Sequence, residues 1–144
     1  MIFMGTIEQV LKEQGFFAST AVGISMEPML RHRKDTIVIS PVEGQLKKYD
    51  VPLYRRGDAY VLHRIVRVLP DSYIICGDNC MEREYGITDE QIIGVLTGIY
   101  RNDKAVDMNG LPYQIYVRLW VFLYPLRRLI KRLRCVAGKW ERRG

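Results

Sequence analysis

The sequence predicts a mainly β domain, a compact antiparallel sheet with a short helix before it and a basic amphipathic helix after it. Three observations carry this reading. Short runs of β-branched and aromatic residues recur between Thr36 and Met108, bounded by Pro, Gly or Asp. The 144 residues are 48% apolar and 26% charged, which suffices for one core without disulfides and excludes a disordered chain. From Tyr113 onward the apolar spacing becomes helical and basic residues fill the gaps. The expected organisation is a β body over residues 1–110 and a helical tail over 111–144.

Element by element, Thr6 to Gln14 sets Ile7, Val10 and Leu11 on one face, with Thr6 as N-cap and Gly15 as stop, so a short helix is expected. Phe16–Gly23 reads as a strand leading into Ile24-Ser25-Met26-Glu27-Pro28-Met29-Leu30. Pro28 there suits the first turn of a short helix, with Ser25 near its N-terminus. Thr36–Ser40, Val51–Tyr54, Tyr60–Leu69 and Tyr73–Cys76 are strand candidates. Ile92–Tyr100 and Lys104–Met108 flank Arg101-Asn102-Asp103, which reads as a hairpin turn closing the sheet. In the tail, Pro125 interrupts the helical pattern and is expected to kink or split it.

The net charge of +6 is unevenly spread. Nine Lys or Arg (Arg118, Arg127, Arg128, Lys131, Arg132, Arg134, Lys139, Arg142 and Arg143) follow Val117 against the single acid Glu141, while residues 1–116 carry thirteen bases and fifteen acids. Basicity thus belongs to the tail, which argues against a nucleic-acid-binding face on the body. The tail mixes these bases with Trp120, Phe122, Leu126, Leu129, Ile130 and Leu133, the composition either of a segment that lies on an anionic membrane surface through residues 113–143 or of one whose apolar face packs back on the body or on a second copy. Its most apolar stretch, Leu111–Leu126, would reach roughly 24 Å as a helix against a hydrocarbon core of about 30 Å, too short for a confident span. Charges from Glu8 onward cut off any N-terminal apolar run, so neither a secretory signal nor an anchor is expected there. That reading places the domain on the cytoplasmic side, peripheral to the membrane. Cys76, Cys80 and Cys135 are an odd and sparse set that suggests a reducing compartment; Cys76 and Cys80 read as small apolar thiols, and no metal or cofactor is expected.

Three fragments can carry chemistry. Ser25 would begin a helical turn, whose free N–H groups could stabilise an oxyanion, although a serine there is ordinarily a cap. His63 sits in Tyr60-Val61-Leu62-His63-Arg64-Ile65, where alternation puts Val61, His63 and Ile65 on one side and Leu62, Arg64 and Val66 on the other. It is either a strand histidine at a sheet margin or a general base. Gly77-Asp78-Asn79 is first a turn, yet its Asp could orient an imidazole. The acids Glu82, Glu84, Asp89 and Glu90 are alternatives within a mostly solvated cluster. His32, between Arg31 and Arg33, reads as part of a solvated basic loop.

Taken in order, Gly23-Ile24-Ser25-Met26-Glu27-Pro28-Met29-Leu30, Asp35-Thr36-Ile37-Val38, Leu46-Lys47-Lys48-Tyr49-Asp50-Val51-Pro52-Leu53-Tyr54, Val61-Leu62-His63-Arg64-Ile65-Val66, Ile75-Cys76-Gly77-Asp78-Asn79 and Ile92-Ile93-Gly94-Val95 resemble the S24/S26 serine peptidases. These are the signal-peptidase I-like and self-cleaving repressor enzymes. The resemblance spans residues 20–108 and is closest to the endoplasmic-reticulum and sporulation-type branch, whose base is histidine. It implies a peptidase domain in which Ser25 is the nucleophile, His63 the general base, and Asp78 or Glu84 the carboxylate that orients it. The matching block also implies that Gly23, Met26 and Pro28 contact substrate. The chain departs from the family at Cys80-Met81-Glu82-Arg83-Glu84, where an Asp-Asp-Arg-like segment would stand. It departs again at Gly23, where some relatives have a serine that helps hold the oxyanion.

The function expected from this reading is a serine endopeptidase that cleaves an extended signal, leader or precursor peptide. The alternative is a non-catalytic membrane-surface or protein-interaction module that keeps the fold.

Overall fold

A computed structural model of the chain describes residues 6–141. The expectations at Met1–Met4 and at Arg142 and Arg143 lie outside the described residues. Helix α1 (Ile7–Gln14) begins and ends as its sequence demands. The Thr6 hydroxyl accepts the Gln9 N–H at 3.2 Å, and Gly15, at φ 80°, returns its N–H to Leu11 O. Leu11 is buried, with Ile7 and Val10 packed beside it.

Nine strands follow among the described residues: β1 (Phe17–Thr20), β2 (Thr36–Ser40), β3 (Pro52–Arg56), β4 (Ala59–Leu62), β5 (Arg64–Val68), β6 (Tyr73–Cys76), β7 (Glu84–Ile87), β8 (Ile92–Arg101) and β9 (Lys104–Ala105). The larger sheet runs β1-β2-β8-β3-β4, with β9 also on β8; the smaller one runs β5-β6-β7. Every pairing is antiparallel. Pro52 opens β3, a position where its missing N–H leaves the ladder intact. Asn102 and Asp103, both at positive φ, make the two-residue turn between β8 and β9.

The long strand expected over Tyr60–Leu69 is two strands in two sheets. Leu62 pairs with Leu53 in the larger sheet and Arg64 with Cys76 in the smaller one, so the chain changes sheet at His63. The alternation expected through His63 therefore does not hold: His63 and Arg64, assigned to opposite faces, are both buried, at 7% and 0% exposure. A second correction concerns Ile24–Leu30, which forms successive turns instead of a helix. Proline disfavours the α conformation at the residue before it, here Glu27, and the Glu27–Pro28 bond is cis. Strand β7, in the segment read as mostly solvated acids, was not anticipated.

Two apolar clusters support this layout. One gathers Leu11, Phe17, Met26, Leu30, Ile39 and Ile99 under the larger sheet, and the other Leu46, Tyr54, Ile65, Tyr73, Ile75 and Ile87 between the sheets. Full burial of each such side chain contributes about 1.5–3 kcal/mol before chain entropy is set against it. Tyr54, in β3, belongs to the second cluster, so it ties the larger sheet to the smaller one.

The tail is split as expected. Helices α2 (Leu111–Phe122) and α3 (Tyr124–Glu141) meet at Leu123, and Pro125 falls in the first turn of α3, where no intrahelical N–H is needed. The inner face of α2 packs on the body. Val117 is 1% exposed, and Trp120 Nε1 donates to Asp78 O at 2.7 Å. No helix among the described residues is long and apolar enough to cross a membrane.

Candidate active site

Ser25 stands on a loop closed at its base by buried charge. Ala21 N–H bonds Asp35 O at 2.8 Å and Arg33 N–H bonds Ala21 O at 2.7 Å. The Asp35 carboxylate, fully buried, accepts from Arg31 and from Arg101, whose Nη2 also donates to Met29 O at 2.6 Å. Burial would raise the Asp35 carboxyl, but the Arg101 and Arg31 bonds outweigh it and hold it below its usual value. Gly23, at φ 95°, donates its N–H to His32 Nδ1 at 2.7 Å. His32 is therefore a half-buried prop for the loop, not part of a solvated patch.

The Gly77-Asp78-Asn79 turn clamps that loop from the other side. Asn79 donates through its backbone to Ser25 O at 2.8 Å and through its side chain to Ile24 O at 3.0 Å. Gly77 is where the Ser25 loop and the His63 ring converge. A Cβ built there would lie 2.7 Å from Ser25 O, 3.0 Å from His63 Cδ2 and 2.6 Å from Cys80 Sγ, so only glycine leaves room. The sequence marks Asn79 and Gly77 as turn formers alone; their contacts depend on which loop folds across them.

His63 is held at the seam between the sheets. Its Nδ1 lies 3.3 Å from Tyr54 Oη and 3.9 Å from Glu84 Oε1. Its Nε2 faces Cys80 Sγ at 4.0 Å. With the proton on Nδ1, directed to Tyr54 and Glu84, Nε2 is the acceptor. Burial, reinforced by the Arg56 guanidinium and only partly opposed by Asp78, pushes the imidazole down to about 4, so it is neutral near pH 7. Arg56 is also ion-paired with Glu84, which reduces the charge that Glu84 presents to His63. Burial likewise raises the Cys80 thiol, which keeps it protonated.

Of the two candidate carboxylates, Glu84 is the one near His63. Asp78 forms a two-pronged pair with Arg64, at 2.9 Å to Nε and 3.0 Å to Nη2, and accepts Tyr116 Oη–H at 2.9 Å. Arg64 further donates to Tyr49 O at 2.9 Å. Both side chains are essentially without solvent, so Asp78 reaches His63 only as a charge through space.

A groove of 1510 Å³ runs across these residues. Gly23, Ser25, Met26, His63, Asn79, Cys80 and Glu84 line it, with the β1 end (Ser19–Val22) on one side and β4 (Tyr60–Leu62) on another. Among the described residues β1 and β4 are the outer members of the larger sheet's main path, and β4 presents an edge of the kind that can take a further strand. Met26 is buried and its sulfur accepts Asp78 N–H at 3.4 Å. Pro28, expected at the substrate, is exposed and outside the groove lining; it shapes the turn. Among the described residues, neither the hydroxyl nor the backbone N–H of the half-buried Ser25 has a hydrogen-bond partner. No protein-family model, curated protein or solved structure matches this chain.

Proposed function

We propose that the chain is a signal-peptidase-like serine endopeptidase that cleaves an extended signal, leader or precursor peptide and works as a peripheral protein at a membrane surface. In this reading Ser25 Oγ attacks the scissile carbonyl while His63 Nε2 takes its proton. The Ser25 N–H donates to the oxyanion, and the proton passes to the leaving amine. Water then hydrolyses the acyl ester with His63 again as base. The orienting groups on Nδ1 are Tyr54 and Glu84, and Asp78 serves the architecture around them.

The observation that carries the proposal is the convergence at Gly77. Two segments 38 residues apart in sequence, one with a serine whose hydroxyl is unbonded among the described residues and one with a neutral buried imidazole, are brought against Gly77 beside a groove that both of them line and that the outer strand β4 borders. A peptide added to such an edge gains backbone hydrogen bonds irrespective of its sequence.

One observation favours a second reading, a non-catalytic interaction module. The Ser25 hydroxyl is not hydrogen-bonded to His63, and Cys80 occupies the side of the ring where the serine would dock. Catalytic hydrogen bonds commonly tighten only with substrate bound, and a labelling experiment separates the two readings. A serine-directed acylating probe followed by peptide mapping should label Ser25 in the intact chain and fail to do so in His63→Ala. Equal labelling of the two, or labelling elsewhere only, refutes the mechanism.

A further inference from the structure

Helix α3 is amphipathic in the reverse of the usual sense: its polar side faces the body and its apolar side faces solvent. Arg127 Nη1 donates to Asp78 O at 2.9 Å, Lys131 to Asn79 O and Tyr124 to Met81 O. Lys131, Arg134 and Cys135 line the groove beside Ser25 and His63. Leu126, Leu129, Ile130, Leu133, Val136 and Trp140, spaced three and four apart on the other side, are 41–77% exposed. A helix that served only to complete the core would be rotated by half a turn.

Between the two faces lies a second cavity of 590 Å³, lined by Arg83, Tyr124, Pro125, Arg128, Leu129 and Arg132. Three guanidinium groups converge there without a carboxylate among the lining residues. Arg83 Nε is buried and has no hydrogen-bond partner, while its guanidinium carbon sits 4.2 Å above the Tyr124 ring. An unpaired buried donor in a cationic pocket is costly unless an anion completes it. The pocket opens at the margin of the apolar stripe, sharing Leu129 with it.

We propose that α3 lies in the surface of an anionic lipid bilayer, the stripe of Leu126, Leu129, Leu133 and Trp140 entering the acyl boundary and the Arg83–Arg128–Arg132 pocket taking a lipid phosphate. Guanidinium forks match phosphate oxygens, and a phosphate at this depth sits where the headgroups of a bilayer contacting the stripe would be. The other side of the same helix then holds the groove at the membrane surface. The inference deepens the membrane-surface part of the proposed function and is independent of its peptidase chemistry.

Co-sedimentation of the full chain with vesicles tests it. Binding to phosphatidylglycerol–phosphatidylcholine vesicles but not to pure phosphatidylcholine is expected. Removal of two charges in Arg128→Gln/Arg132→Gln should weaken it about thirtyfold, at about 1 kcal/mol per basic residue. Leu133→Glu should abolish it, with circular dichroism and melting unchanged in both variants. Ser25→Ala should bind as the parent does, so that a failed peptidase reading leaves this result standing. Absence of binding to anionic vesicles overturns the proposal. So does a dimer by light scattering that Leu133→Glu dissociates, since a second copy then covers the stripe. Complete competition by inorganic phosphate with undiminished binding of Leu133→Glu also overturns it, because the pocket is then a free-phosphate site.

Discussion

Replacing Asp78 with Asn tests the division of labour between the two carboxylates. Arg64 is completely buried and directs Nε and Nη2 at the two Asp78 oxygens, at 2.9 and 3.0 Å. Asparagine keeps the shape but removes the charge and turns an amide N–H₂ toward a guanidinium N–H. The Arg64 cation cannot leave, because its remaining bonds to Tyr49 O and to the Tyr113 hydroxyl hold it in place. Breaking one side of a buried pair in this way costs about 3–5 kcal/mol. For a domain of this size, 1 kcal/mol corresponds to about 3–4 °C, so the melting midpoint should fall by about 9–20 °C. The assay is thermal unfolding by circular dichroism at neutral pH. The double replacement Arg64→Met/Asp78→Leu should recover most of the loss, since it leaves no orphaned charge. A midpoint for Asp78→Asn within about 3 °C of the parent would refute the argument. If activity fell at the same time, Asp78 would be assigned to His63 after all.

The remaining predictions concern the seam and the loop. His63 is depressed from its ordinary 6.5 to about 4, so the unfolded chain binds this proton more readily. The associated stability, roughly 3 kcal/mol, is fully present above pH 6.5 and is lost as pH falls toward 4. Urea unfolding at pH 7 and pH 4.5 measures it; equal His63-dependent stability at the two values, judged against His63→Asn, contradicts the assignment. Arg56→Gln should raise the His63 midpoint, seen in the imidazole NMR titration, because it removes a nearby cation and releases Glu84. An unchanged midpoint would show that burial alone sets it. Gly77→Ala should displace the Ser25 loop from His63 and abolish acyl labelling, while distant Gly138→Ala, with nothing within 4 Å of a new Cβ, leaves labelling intact.

Local signals were legible in the sequence wherever they are sufficient on their own. The bounds of α1 follow from Thr6 and Gly15, those of β2 and β6 from runs of β-branched residues, and the division of the tail from Pro125. What could not be read was the identity of each strand's partner. Tyr60–Leu69 alternates well enough for one strand, and nothing in its side chains announces that the hydrogen-bonding partner changes from Leu53 to Cys76 across His63. The partnership of Asp78 follows from the same fact, because the change of sheet is what turns Arg64 inward. Ser25, His63 and Glu84 could be singled out as candidates by residue type and resemblance, but the helix expected at Ser25 and the single strand expected through His63 did not form, and the strand under Glu84 had no signal. Tyr54, Gly77 and Asn79 could be placed on their strand and turn but not at the site, since each joins it by a contact with a distant segment. Strand β7 was hidden because Glu-Tyr-Gly-Ile carries little apolar pattern and pairs mainly through its backbone.

The position of His63 between two sheets has a mechanical consequence. Neither sheet owns the residue: β4 fixes its N-terminal neighbour and β5 its C-terminal one, while the serine loop is braced by Arg101 at the end of β8. Any sliding or hinging of one sheet against the other is thus converted into a change in the gap between imidazole and hydroxyl. Under the proposed mechanism, a load on either sheet would alter the reacting gap without any change of residue inside the cleft.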